Sequence, residues 1–212
     1  MGNRLARRAR QSVALALVLC ASVGFSGSRA YGGDSFPVRA EFSGTIIKQV
    51  NGKRHQAQVF AKGDRLRLEY KYAIRTEHGY AAIEIIRLDQ LETWYVLAQQ
   101  KELLVTPLNP DDVLPIRAAL PGERDRLLVG EATAAGRPAQ LFEVGTDRNG
   151  RAERFFEWVD VQTGVVLKLV SRDRDWSMEY ERFRLSPQPD YYFEAPPGYK
   201  KRVSSTGPRQ QG

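Results

Sequence analysis

Cysteine is almost missing from these 212 residues: the single copy, Cys20, lies in the first 30 positions. Past that point the chain has neither a disulfide nor a thiol, which excludes a disulfide-stapled scaffold and a cysteine zinc site. Histidine is nearly as scarce, with His55 just after Asn51-Gly52 and His78 in the loop at 75–79. Neither sits beside a serine or carboxylate in a nucleophile motif, and no Gly-x-Ser-x-Gly elbow occurs. Both read as solvent-facing turn residues. His-x-x-x-His spacing, a calcium loop ending in Glu and a glycine-rich phosphate loop are also absent. Asp173 and Asp175 alternate, but Arg172 and Arg174 interleave with them, which reads as a charged turn. No metal, no cofactor and no catalytic residue is therefore expected, and the chain is read as a non-enzyme. An apolar run at 13–21 is too short for a bilayer, which needs about 20 residues.

That run has a different meaning. Arg4, Arg7, Arg8 and Arg10 precede it, and Ser28-Arg29-Ala30 follows with small residues at the two positions a signal peptidase reads. This order is a secretory signal over 1–30, cleaved near Ala30-Tyr31, which predicts a periplasmic protein. Cys20 as the lipid-bearing cysteine of a lipoprotein is the less favoured alternative, because Leu19 stands where a small residue is normal. The leader also carries five of the 32 basic residues, leaving 27 against 25 acidic ones, a net charge of +2. So near-neutral a domain does not call for nucleic acid.

The rest reads as short strands separated by turns. Val38, Ala40, Phe42 and Ile46 alternate with polar residues, and Asn51-Gly52 suits a tight hairpin. Leu66, Leu68 and Tyr70 alternate with Arg65, Arg67 and Glu69, predicting one apolar face and one facing water. Further strands are predicted at 82–88, 93–97, 103–106, 127–133, 138–144, 152–160, 165–172 and 176–185. Residues 111–120 form the one predicted helix, opened by Asp111 and Asp112 and stopped by Pro121-Gly122. Residues 201–212 are predicted to be a disordered tail, which leaves a β domain over 31–200.

The fold class is thus mostly β: one curled antiparallel sheet, a half-barrel of about 11 strands, with one short helix over its concave face. Ten helical residues cannot cover the apolar face of so many strands. The uncovered remainder predicts an apolar ligand cavity lined by Phe42, Ile46, Leu68, Tyr70, Trp94, Val96, Trp158, Leu167, Leu169, Met178 and Tyr180. The helix would lie across its mouth through Val113, Ile116 and Leu120.

Several segments, in order, resemble the LolA/LolB-like fold, the periplasmic lipoprotein carriers and their relatives. Residues 56–70, with Gly63-Asp64 between two strands, are similar to the family's second and third strands. Ile85-Ile86-Arg87-Leu88-Asp89 leading to Trp94-Tyr95-Val96-Leu97 is similar to its Asp-turn-Trp hairpin. Phe156-Glu157-Trp158-Val159-Asp160 with Thr163-Gly164 resembles a later hairpin, and Tyr192-Phe193-Glu194-Ala195-Pro196-Pro197-Gly198-Tyr199 its C-terminal ending.

The resemblance implies a carrier or binding protein for a lipid or for lipoprotein acyl chains. A monomer is expected, with an inner- or outer-membrane protein as a further partner. The alternative is an envelope interaction or stress-sensing module on the same fold. Two departures stand out. Only residues 31–37 precede the first strand, where the family has a helix, and Lys62 and Gly63 occupy the neighbourhood of its gating arginine.

Overall fold

The computed structural model describes residues 38–76, 78–108, 118–148 and 150–204. The predicted signal at 1–30 lies outside them, as do Val113 and Ile116 of the predicted helix. In chain order the strands are β1 (Val38–Val50), β2 (Lys53–Gly63), β3 (Arg65–Thr76), β4 (Gly79–Arg87), β5 (Glu92–Leu97) and β6 (Glu102–Pro107). They continue as β7 (Glu123–Ala134), β8 (Arg137–Arg148), β9 (Arg151–Asp160), β10 (Val166–Ser171), β11 (Trp176–Leu185) and β12 (Lys200–Val203). A 3-10 turn at Asp190–Phe193 separates the last two.

All twelve strands form one open, curled sheet in the order β12-β6-β5-β4-β3-β2-β1-β11-β10-β9-β8-β7. Sequence neighbours pair in antiparallel ladders, as short connections dictate. Tight turns explain the ladders: Asn51 and Gly52 take φ of 49° and 75° between β1 and β2, and Ala135 and Gly136 take 50° and 71° between β7 and β8. Two pairings join strands distant in sequence, β12 on β6 and β1 on β11, the latter with Ile46 opposite Tyr180 across a register shift at Thr45/Ile46.

One expectation needs correction. Residues 200–203 are not tail: Lys200–Val203 pairs in parallel with β6 and makes a twelfth strand. The Pro196-Pro197 step and Gly198, at φ 79°, turn the chain so that it re-enters at that edge. Of the predicted helix at 111–120, residues 111–117 lie outside the described residues; 118–120 are irregular, and the 3-10 turn is the one helical element among the described residues.

Candidate functional site

Alternation along paired strands sorts the side chains onto two faces. On β2 and β3, Ala57, Val59 and Ala61 stand opposite Tyr70, Leu68 and Leu66, and on the other side opposite Ile46, Gly44 and Phe42 of β1. These residues belong to the larger apolar cluster, which runs on through Ile86 of β4 and through Tyr180, Met178, Leu169, Leu167, Phe155 and Val144 of β8–β11. The face that carries it is the inner one. Phe42, Ile46, Leu68, Leu167, Leu169, Met178 and Tyr180 are all buried here, and Tyr70 packs against them half-buried. Leu120 joins the cluster as well, just before β7.

Three of the sequence-predicted cavity residues fall elsewhere. Trp94 pairs with Ile85 and Val96 with Ile83, and Ile85 stands opposite the outward Arg67. Trp94 and Val96 therefore point to the outer face, in a separate cluster with Leu103, Val105 and Phe193. Trp158 alternates with the inward Glu157 and stands opposite Lys168, whose ammonium lies 5.3 Å over its ring. It packs at the margin of the inner cluster from the outer side, half-buried. In each case β-strand parity decided the face, and an aromatic residue alone could not announce which parity its strand would take.

The outer face is not simply wet. Residues 188–199 fold back over β2–β5 and cover the cations expected to face water. Arg65 lies 5.2 Å from the Phe193 ring and donates to Asp190 at 2.8 Å. Arg87 sits 4.9 Å over Trp94 and makes two bonds to Asp89, of 2.9 Å and 2.7 Å. Lys62 donates to the Gln188 carbonyl at 3.0 Å and pairs with Asp190 at 3.2 Å. It belongs to this clasp on the outer side and does not stand at the mouth of the inner face.

Polar groups on the inner face are few and unequal. Tyr70 gives its hydroxyl proton to the buried Glu84. Glu157, fully buried, receives Arg126 Nη1 at 2.5 Å on Oε2, while its Oε1 has no hydrogen-bond partner. Arg126 also holds Glu123 at 2.8 Å and 2.9 Å and donates to the Ala118 carbonyl, which ties the segment before β7 to the middle of β9. Burial pushes the Glu157 carboxyl up to about 7 despite Arg126. Tyr180, 3% exposed, is ringed by Phe42 at 5.9 Å and Phe183 at 5.5 Å, and its hydroxyl likewise has no partner. Burial alone pushes its ionisation upward, so it stays a neutral donor.

Gly44 makes this placement of Tyr180 feasible. A Cβ there would stand 2.9 Å from the Tyr180 ring and 2.5 Å from the Arg182 carbonyl. Sequence reasoning missed Glu157, Arg126 and Gly44. For Glu157 a signal existed, since it holds an inward position between the apolar Phe155 and Val159.

Elsewhere the described residues hold no group of three or more His, Cys, Asp or Glu placed to bind a metal ion. His55 is exposed, whereas His78 is half-buried and its backbone N–H donates to Thr76 Oγ1 at 3.2 Å.

No protein-family model and no curated protein matches the chain. Solved structures do. The crystal structure of MucB aligns with a TM-score of 0.53 at 18% identity, covering 76% of this chain and 59% of that one. MucB in complex with MucA(peri) aligns with a TM-score of 0.50 at 20% identity, over 76% and 56% of the two chains. The MucA/MucB complex of Pseudomonas aeruginosa gives 0.50 at 21%, over 74% and 56%. The chain thus spans less than three fifths of the length of these structures. MucB has a LolA-like fold, and this chain shares it.

Proposed function

We propose that the protein is a non-enzymatic binding or carrier protein of the bacterial envelope whose inner face takes a lipid or the acyl chains of a lipoprotein. One observation carries this reading. The inner cluster is a continuous, buried apolar layer spread over nine strands of an open sheet, with no helix over it among the described residues. An acyl chain laid on such a surface gains about 0.8 kcal/mol per buried CH₂. Phe42, Ile46, Leu68, Tyr70, Leu167, Leu169, Met178 and Tyr180 form the floor. Export would follow from the leader, with the mature chain beginning at Tyr31 of the sequence; N-terminal sequencing that finds an acylated Cys20 instead would refute that start.

The test is uptake of N-phenyl-1-naphthylamine, an apolar dye, by the folded mature domain. Saturable fluorescence enhancement is the expected result. A folded domain that takes up no dye, and from which organic extraction recovers no lipid, defeats the reading.

A second reading, an envelope protein-interaction module, has its own support. Leu127, Leu128 and Val129 are 64%, 53% and 52% exposed on β7, a terminal strand of the sheet. Such an edge can accept a partner's strand, and MucB, of like fold, is known in complex with MucA(peri). Capture of a single membrane protein, abolished by Leu128→Lys, would favour this module.

A further inference from the structure

Buried polar atoms in folded proteins nearly always have a partner, and each exception asks for a reason. Two such exceptions are found among the described side chains, Glu157 Oε1 and the Tyr180 hydroxyl. Both stand on the same inner face. Glu157 is opposite Leu169, Leu169 is opposite Met178, and Tyr180 follows Met178 by one same-face step. Strand spacing and rise put their Cα atoms roughly 12 Å apart, with apolar floor between them.

The local chemistry limits what either can accept. Tyr180 is enclosed by Phe42 and Phe183, with Gly44 clearing the space its ring fills, and its hydroxyl has no partner among the described residues. Replacing that oxygen by hydrogen would suit an apolar core better, since an unpaired buried hydroxyl costs stability. Glu157 differs from Tyr180 in having a charged neighbour. Arg126 on β7 faces it, but Glu123 on the same strand also claims that guanidinium, while Phe142 of β8 and Leu169 of β10, which stand opposite Glu157, are apolar. The cluster has one cation and two carboxyls, so it holds no spare positive charge for an anion.

We propose that Tyr180 and Glu157 are the polar anchors of the inner-face site, donating hydrogen bonds to the uncharged carbonyl oxygens of acyl esters or amides whose chains lie on the apolar floor. This rests on the acyl-binding reading and adds to it the ligand class: neutral, carbonyl-bearing acyl groups rather than free fatty acids. Protonated Glu157 offers its proton from Oε1, because Oε2 is occupied by Arg126. Tyr180 donates directly.

The experiment is displacement of N-phenyl-1-naphthylamine from the mature domain by three probes with the same chain: methyl laurate, laurate and dodecane. Methyl laurate should displace the dye better than laurate at neutral pH. Tyr180→Phe, which removes one oxygen, should weaken methyl laurate by about five- to tenfold, the worth of one buried hydrogen bond, and leave dodecane within about twofold. Its melting temperature should stay the same or rise. Glu157→Gln keeps a donor at that position and should retain methyl laurate binding within about threefold.

If Tyr180→Phe changes nothing, or weakens dodecane as much as the ester, the hydroxyl is no anchor and this inference is overturned while acyl binding stands. Laurate that outcompetes its ester overturns the assignment to neutral carbonyls. Absence of dye uptake by the wild-type domain is a different failure, since it removes the acyl-binding reading itself and this inference with it.

Discussion

Arg67 of β3 donates from Nη1 to the carbonyl oxygen of Tyr192 at 3.1 Å, and its guanidinium lies 5.5 Å from the centre of the same residue's ring. One side chain thus grips both backbone and ring of a residue 125 positions away. Phe60 closes the contact from β2, edge-on to Tyr192 at 5.0 Å. The grip holds the returning C-terminal segment on the outer face and so sets up the approach to β12.

Arg67→Ala is therefore expected to destabilise the domain by about 1–2 kcal/mol, the sum of a charge-assisted hydrogen bond and a cation–π contact that is only partly exposed. Arg67→Lys should recover little, because a compact ammonium cannot reach carbonyl and ring together. Chemical denaturation measures both. A change under about 0.5 kcal/mol for the alanine variant would mean that the segment is held without Arg67.

The two faces separate cleanly in mutants. Met178→Glu, on the inner floor, should weaken dye uptake. Trp94→Ala, on the outer face, should lower the melting temperature through a buried cavity yet leave dye affinity within about twofold. Equal loss of binding in both would contradict the register that puts Trp94 opposite Ile85.

Gly44→Ala should cost more than an ordinary glycine replacement in a strand. The new methyl meets a carbonyl at 2.5 Å, which cannot move without breaking the β1–β11 ladder, and the Tyr180 ring at 2.9 Å. A loss of about 2 kcal/mol is expected, with altered near-ultraviolet circular dichroism from the displaced tyrosine. Tyr180→Phe should leave the stability intact, so the two variants distinguish the space from the hydroxyl.

Acid and base should act on the fold through different carboxyls. Burial pushes Asp160 up, but bonds from Arg137 at 2.6 Å and from the Thr163 side chain and backbone at 2.8 Å hold it below its usual value. A depressed carboxyl contributes stability above its unfolded pKa and loses it as pH falls through the folded one, so this contribution fades below about pH 4. Glu157 has the opposite sign. Its folded pKa of about 7 exceeds the ordinary value of 4.5, so the native state holds the extra proton, and stability declines as pH rises from about 4.5 to 7. Unfolding measured across pH 4–8 should show that decline in the wild type and a flatter profile in Glu157→Gln. An unchanged slope in the variant would remove Glu157 as its source.

Much of this protein is written in its local sequence. The alternation in residues 65–70 and the Asn51-Gly52 turn determined hairpins and an open β architecture, because side-chain parity and positive φ are properties of a few adjacent residues. The absence of cysteine after position 20 settled that the fold rests on apolar burial. Tertiary structure alone decided the rest. Which parity of Trp94-Tyr95-Val96 faces inward depends on pairing with β4, and 200–203 became a strand because β6 offered an unpaired edge. Arg67 left the solvent because a segment far along the chain returned to cover it. Glu157 and Tyr180 meet on one face only through the successive registers of β9, β10 and β11. A local pattern carries parity, but burial and partnership are set by what comes back from a distance, and no short stretch of sequence contains that.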